Sequence, residues 1–197
     1  KKAALTLRNV DFTNNSTKRT GTAIYIGTSV QLSADSSISD CTFKDNIDEG
    51  DGLIMLNLGA SFKLVNCKFI NNKNRGSLII VLFSQEDQKF SIQETAFEDN
   101  KSDAVMNVLG KSRKQTVVLD RVTISRNKGF YAQLKDVMAS IVDSRFAIST
   151  AGIRLSNSQL SANNMQISGL YSNSSSAVEI YEGSNFSCSS CMFMNNT

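Results

Sequence analysis

The sequence predicts an all-β fold: a parallel β-helix, or β-solenoid, of about seven to eight coils with roughly 26 residues in each. Three observations carry this expectation. A Phe-x-x-Asn motif recurs along the whole chain, apolar residues keep fixed offsets from it, and the 3.6-residue apolar period that helical repeats need is absent. The motif stands at Phe12 to Asn15, Phe43 to Asn46, Phe69 to Asn72, Phe97 to Asn100 and Phe193 to Asn196. Ile124 to Asn127 keeps it with Ile for Phe, while Phe146 and Ile167 keep only the apolar anchor. The eight anchors are separated by 31, 26, 28, 27, 22, 21 and 26 residues.

Counted from each anchor as position 0, position −5 is apolar on every coil: Leu7, Ile38, Leu64, Ile92, Leu119, Ile141, Ala162 and Cys188. Position −7 is Leu5, Phe62, Phe90, Val117, Ala139, Leu160 or Phe186, failing only at Ser36. Side chains alternate faces along a strand, so −7 and −5 share one inward face. Position −2 is small or apolar (Val10, Cys41, Cys67, Thr95, Val122, Ser144, Met165, Cys191) and shares a face with the anchor. The odd step from −5 to −2 therefore requires a bend. Position −3 supplies it with polar residues such as Asp40, Asn66, Glu94, Arg121 and Asp143. A short loop after each Asn leads to a further apolar strand, for example Gly21-Thr22-Ala23-Ile24-Tyr25-Ile26 or Leu78-Ile79-Ile80-Val81-Leu82. Each coil thus holds about three short strands, and like positions stack at the interstrand spacing of about 4.8 Å into a rod on the order of 35 Å long. Residues 1–197 are expected to form one solenoid segment, a piece of a longer solenoid that continues into other segments of the same chain.

The Asn residues at +3, Asn15, Asn46, Asn72, Asn100, Asn127 and Asn196, are expected to form a structural ladder, each amide bonding to the next coil. Composition narrows the chemistry. The 197 residues contain no His, no Pro and no Trp, which excludes Ser-His-Asp and Cys-His catalysis and histidine metal sites within this chain. No stretch approaches the roughly 20 apolar residues of a membrane-spanning helix.

Phe12-Thr13-Asn14-Asn15 followed by Gly21-Thr22-Ala23-Ile24 resembles the repeats of chlamydial polymorphic outer-membrane proteins, and similar pectin-lyase-like β-helix repeats occur in protist surface proteins. The resemblance implies a right-handed parallel β-helix, extracellular or on a cell surface, serving as adhesin, passenger or spacer. The second half of the motif decays along the chain, to Gly76-Ser77-Leu78-Ile79, Asp103-Ala104-Val105-Met106 and Ala151-Gly152-Ile153.

Sequons occur at Asn14, Asn15, Asn100, Asn173, Asn185 and Asn195. In a secreted eukaryotic chain Asn14, Asn173, Asn185 and Asn195 are the glycosylation candidates, because the ladder would occupy Asn15 and Asn100. Cys188 and Cys191 fall on inward positions and are expected as buried thiols, with a local disulfide across the bend as the alternative. Cys41 and Cys67 stack on adjacent coils and are expected to stay free. Residues 101–154 carry 10 basic and 4 acidic groups, and Lys111, Arg113, Lys114, Arg121, Arg126 and Lys128 form a candidate basic contact patch. The same charges also fit a solvated loop and corner; as a contact, a sulfated glycan, an anionic surface or a cell-surface protein fits them better than nucleic acid, since no aromatic platforms are interleaved.

No catalytic, metal or cofactor site is expected. Asp120 and Asp143 lie beside Arg121 and Arg145 and are expected as corner ion pairs, and Asp48-Glu49-Gly50-Asp51 as a solvated turn. The expected function is a non-catalytic structural or adhesive segment. The alternative is a polysaccharide lyase or hydrolase whose catalytic coils lie elsewhere in a longer chain, and a third expectation is end-to-end assembly of rods.

Overall fold

The computed structural model describes residues 4–18, 21–27, 32, 36–171 and 176–197. They form a parallel β-solenoid without helices, in which every strand pairing is parallel and joins equivalent positions of neighbouring coils. The winding comes to about six turns of about 26 residues. This is slightly fewer than the seven to eight coils that the anchors suggest.

Three walls enclose the core. The first runs from Thr6–Arg8 through Phe62–Val65, Lys89–Gln93 and Thr116–Asp120 to Asn185–Ser189, eight strands in chain order. The second holds the anchors, from Asp11–Thr13 to Met192–Met194, also eight strands. In the third, Ile24, Ile54, Ile79, Met106, Ala132, Ile153 and Val178 stack in one inward row.

The inward rows of the interior coils are buried as the parity argument requires: Leu64 pairs with Ile92 in register, and both side chains lie in the core. Phe12, Phe43, Phe69 and Phe97 stack with ring centroids 4.8, 4.5 and 4.6 Å apart. Burying one such ring contributes about 1.5–3 kcal/mol. Ser36, the exception at −7, is buried too, and its Oγ accepts a hydrogen bond from the Leu5 N–H at 3.2 Å.

The bend has a specific backbone form. All eight residues at −3, Asn9, Asp40, Asn66, Glu94, Arg121, Asp143, Asn164 and Ser190, adopt the left-handed conformation with φ between 48° and 55°. A second left-handed row stands at +2, formed by Asn14, Asp45, Asn71, Asp99, Arg126, Ile148, Gly169 and Asn195 with φ between 50° and 65°. Asn, Asp and Gly tolerate this region best, which accounts for most of both rows.

The third wall is broken near its start on the early coils. Ser16–Thr17 and Ile24–Ile26 are separate strands, as are Ile47–Asp48 and Gly52–Leu58, and Lys73–Asn74 and Ser77–Phe83. On the next coil they fuse as Lys101–Leu109, with a register shift between Lys101 and Ala104. Gly129 follows at φ 104°, and a Cβ there would lie 2.0 Å from the Ser102 carbonyl oxygen. Only glycine lets the two backbones approach so closely.

Candidate functional site

Directly after the +2 bend, the amide row turns inward. Asn46 Oδ1 accepts from the Asn15 backbone N–H and from its Nδ2, both at 3.0 Å. Asn72 Oδ1 accepts from the Asn46 N–H at 3.1 Å and Nδ2 at 2.9 Å, and Asn100 and Asn127 repeat the pattern at 2.9 Å. Each Nδ2 also donates back to the preceding anchor carbonyl, as Asn100 does to Phe69 at 2.9 Å. Asn15, Asn46, Asn72, Asn100 and Asn127 thus form one unbroken ladder. Asn196 stands apart, since the intervening coils carry Ser149 and Leu170 at this position, and its Oδ1 accepts from the Leu170 N–H at 3.1 Å.

One residue further on, the side chains point outward and line a groove of about 660 Å³ that runs across five coils. Three rows build it. The outermost contains Ile47, Lys73, Lys101 and Lys128, with Lys73 in register with Ile47 and Lys101, and Lys101 in register with Lys128. The three lysines are exposed, and among the described residues no carboxylate lies within 4.0 Å of any of their ammonium groups. The next row, Asp48, Asn74 and Ser102, is buried. The third, at the break in the wall, is exposed and alternates in sign: Lys18, Glu49, Arg75, Asp103.

The buried row is incompletely bonded. Asp48 is 1% exposed; its Oδ1 accepts from the Gly50 N–H at 2.6 Å, while Oδ2 has no hydrogen-bond partner. Asn74 Nδ2 reaches the Ser77 carbonyl at 3.4 Å, and its Oδ1 is unpartnered. Burial raises the Asp48 carboxyl above its ordinary value, the Gly50 N–H and nearby Thr22 pull against that, and the Asp51 charge adds to it. The expected solvated turn therefore begins with a carboxyl group inside the fold. Asp48 lies on the floor of the groove, where burial moves its pKa in the direction of a general acid while leaving the residue only 1% exposed.

The six residues of the candidate basic patch do not form one surface. Lys114 pairs with Glu86 at 2.6 Å, Arg121 with Glu94 at 2.8 Å and Asp120 at 3.0 Å, and Arg126 with Asp99 at 2.7 Å and Glu98 at 3.6 Å. The Arg113 guanidinium donates to the Asn157 carbonyl at 3.1 Å and to the Gly183 carbonyl, stapling successive coils. Lys111 lies on the turn with Arg113 and Lys114; only Lys128 enters the lysine row. The reason is geometric: residues 111–128 travel round two corners of one coil, so neighbours in sequence face different directions, whereas residues about 27 apart face the same way.

Other candidates are placed as follows. Asn14, Asn185 and Asn195 are exposed, Asn100 is buried, and Asn173 lies outside the described residues. Cys188 and Cys191 are joined by a disulfide rather than buried as thiols. They sit on the last described coil, where the inward face has a neighbour on one side only. Cys41 and Cys67 are free and buried, and burial pushes the Cys67 thiol up to about 12. Asp143 accepts from Asn164 Nδ2 at 2.8 Å rather than from Arg145. Comparison of the chain with family models and with curated proteins finds no match.

Proposed function

We propose that this chain is a non-catalytic structural or adhesive segment of a larger extracellular or cell-surface protein, built from pectin-lyase-like repeats of the kind its Phe-x-x-Asn and Gly-x-Ala-Ile motifs resemble. The observation that carries this reading is how the corner carboxylates are used. Asp40 accepts from Arg8 and Asn66, Glu94 and Asp120 from Arg121, Asp99 from Arg126, and Asp143 from Asn164. The groups a β-helix lyase or hydrolase would direct at a sugar are here bonded at the corners, all but Asp120 to a side chain of an adjacent coil. The Cys188–Cys191 disulfide agrees with an oxidising compartment. Further coils of the same chain, or a second rod, would meet the half-exposed Met192, Phe193 and Met194 of the last coil.

The test is incubation with polyuronates and sulfated glycans, with and without Ca²⁺, followed by chromatography of the products. Binding without a change in chain length is the expected result. Ca²⁺-dependent cleavage that disappears in Asp120→Asn or Asp143→Asn would replace this reading with the enzymatic one.

A further inference from the structure

We propose that the Lys73–Lys101–Lys128 row is a binding site for a linear polyanionic glycan, one bearing sulfate or carboxylate groups, lying along the solenoid axis. The inference rests on the non-catalytic reading above only in that the glycan is held and not cut.

The argument starts from a cost. Like charges directly opposite on paired strands destabilise a sheet, and this chain avoids that arrangement at its corners. There an acid on one coil meets an amide or guanidinium on the next: Asp40 with Asn66, Asp45 with Asn71, Glu94 with Arg121, Asp99 with Arg126. In the groove the same stacking sets three lysines in register, their backbones about 4.8 Å apart from one coil to the next and about 10 Å from first to last. The alternating row of Lys18, Glu49, Arg75 and Asp103 cancels itself, so the three lysines, offset in part by the Asp48 carboxyl beneath them, leave the groove net positive. Repulsion among them is relieved when anions bind.

Shape and chemistry narrow the ligand. The lysines line a groove that crosses five coils, so a polymer laid lengthwise would meet all three. An ammonium on a four-carbon stem is a mobile point charge with three donors, suited to anions whose spacing varies along a chain; arginine forks would impose a fixed geometry. Nucleic acid would need stacking surfaces, yet the groove lining contains no aromatic residue, and its large apolar side chain is Ile47.

The experiment titrates the full chain with a fluorescent heparin-derived oligosaccharide at several salt concentrations. The wild-type chain is expected to bind with an affinity that weakens as salt rises. The triple variant K73Q/K101Q/K128Q is expected to lose about tenfold to a hundredfold, and K111Q/K114Q/R121Q, which removes the same charge from the corners, less than about threefold. Equal losses in the two triples would overturn the proposal. So would poly-dT or anionic vesicles displacing the glycan through the same three lysines as effectively as unlabelled heparin.

Thermal unfolding is measured alongside, and the groove triple should unfold no lower than wild type because it removes repulsion. If it unfolds lower, the single variant K101Q decides: it must weaken binding more than K111Q does, or the proposal fails. Cleavage of the oligosaccharide would overturn the non-catalytic reading and leave the lysine site standing; undiminished binding by the groove variants would do the reverse.

Discussion

Asn72, Asn100 and Asn127 stand next to Lys73, Lys101 and Lys128, on the same coils and at the same spacing, yet the two rows behave as opposites. Each asparagine turns inward, where its oxygen accepts and its amide donates across successive coils at about 2.9 Å. Each lysine turns outward and meets another lysine. Stacking like on like multiplies whatever the side chain brings. An amide is both donor and acceptor, so a column of them satisfies itself. An ammonium only donates, so a column of them needs acceptors from outside.

The sharpest way to break this comparison is to cut one rung from each row. Asn100→Ala removes the partner of the Asn72 N–H, of one of the two Asn72 Nδ2 hydrogens, whose other bond to the Phe43 carbonyl remains, and of the Phe69 carbonyl in a buried site. It is expected to cost about 3 kcal/mol or more. Lys101→Ala, one residue away, is expected to change stability by less than about 0.5 kcal/mol. Urea unfolding of both variants, read by the slope as well as the midpoint, checks the contrast. Similar losses in the two would mean that the ladder amides carry no more stability than the exposed row.

Much of the fold was legible because parity is a strict constraint: an odd step between two inward positions demands a corner, and Asp40, Asn66 and Asp143 mark it by polarity. The second left-handed row was not, because Asn14, Asp45, Asn71 and Asp99 occupy the variable slots of Phe-x-x-Asn and read as spacers. The groove was missed for a related reason. Charge weighed along the sequence groups Lys128 with Arg121 and Arg126, whereas charge weighed down the template groups it with Lys101 and Lys73. The slot after each Asn, which reads Ser16, Ile47, Lys73, Lys101, Lys128, held that signal. Buried Asp48 gave none, since an Asp-Glu-Gly-Asp run looks like a solvated turn wherever it sits. The cysteine pair misled because inward positions on either side of the −3 corner, with Cα atoms 6.0 Å apart, are close enough to bridge.

A milder test lies where the amide column ends. On that coil Ser149 replaces the ladder Asn, and the adjoining left-handed position is taken by Ile148, at φ 53° and 49% exposed. A β-branched residue is the worst tolerated there, and equivalent coils use Asn14, Asn71 and Asn195. Ile148→Asn is therefore expected to stabilise the protein by about 1 kcal/mol. A rise in the thermal midpoint checks it. A fall would show that the exposed isoleucine makes packing contacts worth more than its backbone strain.

The smallest and most diagnostic effect concerns the row beneath the lysines, where side chains turn inward but are only partly answered. Burial raises the Asp48 carboxyl above its ordinary value of 3.8. Well below that value the group is protonated in both folded and unfolded chains and contributes no pH dependence. As pH rises through it, the unfolded chain ionises first, so stability falls until the folded carboxyl has ionised too, and is level thereafter. Asp48→Asn removes this loss. Its oxygen can still accept from the Gly50 N–H, and its new Nδ2 lies in register with the unpartnered Asn74 Oδ1. The variant's advantage in thermal midpoint should be least near pH 3, grow as pH rises past about 4, and level off towards neutrality. Asp40 and Asp99 titrate with the opposite sign, because Asn66 and Arg126 hold their carboxyls low, so their contributions fade in acid. Both are untouched by the substitution and cancel in the difference. A difference that is flat across this range, or that favours the aspartate at neutral pH, would mean that Asp48 is not penalised by its burial and that the second inward row is as well answered as the first.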